Sequence, residues 1–91
     1  MTPEQEVRRG EQAVAVIESP IFIEAFDAIE KELTQAWQDS PARDSEAREK
    51  IWLSLKLLNR VKLQMVSVAT TGQMAKQSII AKLRGQSVGP I

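Results

Sequence analysis

The chain has 91 residues with no cysteine, histidine or tyrosine, which excludes disulfide staples and thiolate metal sites and removes the commonest general base. Its formal net charge of zero hides a split. Residues 1–50 carry six basic and twelve acidic side chains, whereas residues 51–91 carry six basic ones (Lys56, Arg60, Lys62, Lys76, Lys82 and Arg84) and no acid.

A chain this short buries only about 60–65% of its unfolded surface, so association is the natural route to further burial. Ala, Leu, Glu, Lys, Gln and Arg are plentiful, and the expected organisation is a single all-α domain over 1–91 with a short tail at 85–91. No apolar run approaches the ~20 residues of a membrane span. The polar, acidic start Thr2-Pro3-Glu4-Gln5-Glu6 is unlike a signal peptide.

In chain order, the first predicted element is a helix over about 3–18. Thr2 and Gln5 have capping-box spacing, and Pro3 suits the first helical position. Val7, Val14 and Ile17 share a face, with Ala13 and Val16 beside it. Gly10 either weakens the middle or marks close packing against a neighbour.

Ser19-Pro20 punctuates the chain, with Ser19 as a candidate N-cap and Pro20 opening the next helix. That helix is expected over about 20–38, with Phe22, Phe26, Ile29, Leu33 and Trp37 recurring at spacings of 4, 3, 4 and 4. Ile21, Ala25 and Ala28 widen the stripe. Asp39-Ser40-Pro41-Ala42-Arg43 has the composition and length of a turn between antiparallel helices.

Asp44 or Ser45 caps a third helix, expected over 45–70 with the option of continuing to 84. A 40-residue helix is roughly 60 Å long, about twice the diameter of a compact domain of this size. The pattern therefore implies either a break at Thr70-Thr71-Gly72 or an elongated rod. Gly85, Gly89 and Pro90 are expected to end the helix.

The third helix is apolar over a wide arc. Ile51, Leu55, Leu58, Val61, Met65 and Val68 form one stripe, while Trp52, Leu53, Leu57, Leu63 and Val66 lie off it. One partner helix cannot cover that arc. The arc is covered either by both neighbouring helices in one chain or by a second subunit.

In the antiparallel hairpin about Pro41, Glu24 and Asp27 are expected level with Arg60 and Lys56. Such exposed pairs are worth a few tenths of a kcal/mol yet select pairing direction. Trp37 and Trp52 are expected to pack together at the closed end.

Nucleic-acid binding is the alternative, because the last 41 residues are basic. Their charges are scattered, however, and lack interleaved aromatics. Carboxylates such as Glu30 with Glu46, or Asp39 with Asp44, are candidates for an acid–base pair. No nucleophile motif, phosphate loop or metal-ligand spacing accompanies them, so the reading is non-enzymatic, with no catalytic, cofactor or metal residues.

Two segments carry a resemblance. Ser19-Pro20-Ile21-Phe22 leads through Phe26 and Leu33 to Ala36-Trp37. Ala47-Arg48-Glu49-Lys50-Ile51-Trp52-Leu53 continues through Leu57-Leu58-Asn59-Arg60-Val61 to Thr71-Gly72-Gln73-Met74-Ala75. Over roughly residues 11–76 the pattern resembles small helical proteins encoded among the head and assembly genes of tailed bacteriophages. The resemblance implies a multi-copy assembly or virion component, acting in the host cytoplasm or the particle, with other virion proteins as partners.

Together these readings define an all-α, elongated, coiled-coil-like interaction protein that forms homo-oligomers and uses no membrane or small-molecule substrate. Leu53, Leu57, Leu63 and Val66 are the expected apolar contacts to partners, and Lys76, Lys82 and Arg84 the basic ones.

Overall fold

The structure is a computed structural model, and it describes residues 1–87. It is all-α, with α1 at Pro3–Ile17, α2 at Pro20–Asp39 and α3 at Ser45–Ser87. The chain divides into two compact units. One comprises Ile17–Gln64, and the other joins Met1–Val16 to the chain from Met65 onward. Helix α3 runs through both.

The helix starts follow local chemistry. The Thr2 N–H donates to Gln5 Oε1 at 2.8 Å and the Gln5 N–H donates to Thr2 Oγ1 at 3.2 Å, a reciprocal capping box. Ahead of Pro20, Ser19 adopts the extended backbone required of a pre-proline residue (φ −65°, ψ 125°). Its hydroxyl makes no capping bond, so proline geometry alone opens α2. The Ala47 N–H donates to Asp44 Oδ1 at 3.2 Å, which makes Asp44 the cap of α3.

Gly72 does not break α3, and Gly85 does not end it. The helix runs 43 residues without interruption, about 64 Å at 1.5 Å per residue. Thr70 is accommodated by donating its hydroxyl to the Val66 carbonyl at 2.9 Å. The expected terminators Gly89 and Pro90, like most of the expected tail, lie outside the described residues.

In the unit built from α1 and the later part of α3, the two helices meet at glycine. A Cβ placed on Gly10 would stand 2.7 Å from the Gly72 Cα, and one on Gly72 would stand 2.7 Å from the Gly10 Cα. Gly10, Ala13, Gly72 and Ala75 are the buried residues of this crossing. Small side chains let the two backbones approach closely, and dispersion between backbone atoms replaces side-chain interdigitation. Val7, Val14 and Ile17 are half-buried, while Val16 is exposed.

The second unit is the hairpin of α2 with the first half of α3. Phe22, Phe26, Leu33 and Trp37 on α2 are half-buried, as are Ile51, Leu55 and Leu58 on α3. Phe22 and Phe26 pack ring to ring at 4.4 Å between centroids. Ile29 and Val61, expected on the inner stripes, are exposed instead. The inner positions of α3 advance by 4 and 3 from Ile51 to Leu55 and Leu58. Continuing by 4 and 3 leads to Lys62 and Met65, leaving Val61 to one side.

Candidate interaction surface

The turn of the hairpin is held by Arg48. Its Nη1 donates to Ser40 Oγ at 2.8 Å, to the Ser40 carbonyl at 3.2 Å and to the Trp37 carbonyl at 3.3 Å. The guanidinium carbon lies 3.8 Å from the Trp37 ring centroid. Ser40 adds a hydroxyl bond of 2.6 Å and an amide bond of 3.2 Å to the same Trp37 carbonyl. The Trp37 and Ser40 carbonyls at the C-terminal end of α2 thereby accept from a cation, which also suits the negative end of the helix dipole.

The expected Trp37–Trp52 pair does not form. Trp37 is half-buried under Arg48, whereas Trp52 is exposed with the Lys56 ammonium 5.3 Å from its ring. Sequence reasoning gave Arg48 no role. The usable signal was a lone arginine in the first turn of a helix, where the dipole disfavours it unless another partner is present.

The expected cross-hairpin ion pairs are also absent. Neither Glu24 nor Asp27 lies within ion-pair distance of Arg60 or Lys56. Glu30, rather than Glu24 or Asp27, shares a cleft of about 360 Å³ with Lys56 and Lys62, and Asp27 borders the outer face of α2 with Lys31 and Thr34. The register places Phe26 against Leu55 and Leu58, so apolar packing rather than charge sets the level of α2 along α3.

Leu53, Leu57 and Leu63 are 53%, 64% and 57% exposed, and Val66 is exposed as well. They do not form one patch. Leu53 and Leu57 stand one turn apart, followed a turn later by Val61, 47% exposed. Leu63 lies about 120° round the axis from Leu57, on the side of Trp52 and Val66. Lys76, Lys82 and Arg84 are exposed in the other unit. Their positions are about 80–160° apart round the helix, so they share no face.

Three of the four acidic candidates for chemistry have structural roles, and Glu30 stands exposed beside the cleft with Lys56. Glu46 pairs with Lys50 at 3.7 Å, Asp39 accepts from Gln35 Nε2 at 3.0 Å, and Asp44 caps α3. Among the described residues, no group of three His, Cys, Asp or Glu side chains is placed to hold a metal ion. No described helix is long and apolar enough to cross a membrane.

No family model, curated protein or solved structure matches the chain.

Proposed function

We propose that the chain is a non-catalytic helical interaction protein that associates with copies of itself through apolar side chains on the outside of α3. One observation carries this reading. Among the described residues the buried hydrophobic side chains are Ala13 and Ala75, while Leu53, Leu57, Val61, Leu63 and Trp52 stand exposed along two turns-long strips of a single helix. Fully burying a leucine is worth about 1.5–3 kcal/mol, so covering the exposed part of Leu57 alone is worth about 1–2 kcal/mol. Several such side chains on one helix supply the drive for association.

The resemblance to helical proteins of phage head and assembly genes supports a place in a particle or its assembly, in many copies and alongside other virion proteins. The wide separation of Lys76, Lys82 and Arg84 round α3 favours protein contact over a track for a phosphate backbone. Light scattering at micromolar concentration tests the proposal. A mass of two or more chains is expected, and a monomer would refute it.

A further inference from the structure

Given that reading of self-association, we propose that two copies pair antiparallel across the Leu53–Leu57 face of α3, with Glu49 of each chain beside Arg60 of the partner subunit. The inward side of this part of α3 is occupied, since Leu55 and Leu58 line a cleft with Phe26 of α2. Leu53 and Leu57 occupy the outward side. At 100° per residue, Glu49 and Arg60 fall on one flank of their midline, about 60° and 40° away, and Val61 falls on the other.

Glu49 and Arg60 are both exposed, and neither has an ion-pair partner among the described residues. Glu46, by contrast, is engaged by Lys50. An antiparallel two-fold brings like flanks of the two helices together. With the axis between Leu53 and Leu57, Leu53 packs beside Leu57 of the partner subunit. Glu49 then comes level with Val61 of the partner subunit and next to the partner's Arg60, on the same flank. Symmetry makes the pair twice.

A parallel pair instead brings opposite flanks together, so Glu49 and Arg60 face the flank of the partner's Val61 and do not pair with each other. The Glu49–Arg60 match thus belongs to the antiparallel two-fold, and this charge complementarity selects a second copy as the occupant of the face.

The chain has no cysteine, so Ser45→Cys provides a unique site for a spin label in the full chain. Ser45 lies ten residues from the proposed axis, so the antiparallel dimer puts the two labels about 30 Å apart, and a parallel one puts them within about 15 Å. Glu49→Arg or Arg60→Glu alone is expected to weaken dimerisation roughly tenfold, because two attractive pairs become repulsive. The chain carrying both reversals is expected to regain wild-type affinity. Short label distances, or single reversals without effect, overturn the antiparallel pairing while leaving self-association standing. A wild-type chain that is monomeric overturns both.

Discussion

Replacing Gly72 with alanine adds one methyl group where α1 crosses α3. That methyl would sit 2.7 Å from the Gly10 Cα and 2.8 Å from the Glu6 carbonyl oxygen. Both are backbone atoms of another helix, so no side chain can turn aside. Ordinary contact begins near 3.4 Å, and α1 would have to withdraw by about 0.7 Å. A gap of that size forfeits a quarter to a half of the dispersion energy of the neighbouring contacts, and overpacking of this kind costs about 1–3 kcal/mol. Alanine returns about 0.5–1 kcal/mol through its helix propensity.

The net expectation for Gly72→Ala is a loss of up to about 2 kcal/mol in the docking of α1. Gly85 is the control, being helical in the same unit with nothing within 4 Å of its would-be Cβ. Gly85→Ala should therefore stabilise by about 0.5–1 kcal/mol. Thermal melts followed by circular dichroism at matched protein concentration should separate the two variants by at least about 2 °C. Hydrogen exchange should show the Gly72→Ala loss concentrated in α1. If Gly72→Ala raises the melting temperature as much as Gly85→Ala does, the glycine crossing is wrong.

Three further outcomes are expected. Arg48→Ala should destabilise the hairpin by about 2–3 kcal/mol, from charged hydrogen bonds and the cation–π contact together, and should shift Trp37 fluorescence; Arg48→Lys should recover less than half of this in denaturant titration, because an ammonium cannot both fork across the carbonyls and stack. Leu57→Asp should dissociate oligomers in light scattering while circular dichroism keeps its helical signal; wholesale unfolding would place Leu57 in the core of the single chain instead. On immobilised double-stranded DNA at low salt the protein should not be retained, and retention that falls steeply with added salt would favour the nucleic-acid alternative.

Much of the helical layout was legible because it is written in local chemistry. Thr2 with Gln5, Pro20 and Asp44 each set a helix start through a bond or a backbone restriction that involves only near neighbours. The hairpin was legible from the paired stripes of α2 and α3. What could not be read were choices made by distant residues. Gly72 looks like a helix breaker until Gly10, far away in sequence, is seen to occupy the space its missing side chain leaves. Arg48 looks like an ordinary surface cation until the end of α2 is folded beneath it. Val61 counts as inner or outer according to whether the repeat is carried on by 3 or by 4 residues, and Lys62 rather than exposed Val61 borders the cleft with Phe26, Leu55 and Leu58. The apolar candidates Leu53, Leu57, Leu63 and Val66 were identifiable as surplus to the hairpin, but the wheel positions divide them between two strips.

The sequence separation of the glycine crossing also has a consequence for synthesis. The hairpin unit is a contiguous stretch, residues 17–64, and its contacts close short loops. Gly10 must wait for Gly72, 62 positions later. At translation rates of about 5–20 residues per second, that wait is about 3–12 seconds. During it, Val7 and Val14 have no later segment of their unit to pack against. The hairpin needs the chain only as far as residue 64, so the glycine crossing is the later of the two units to become possible.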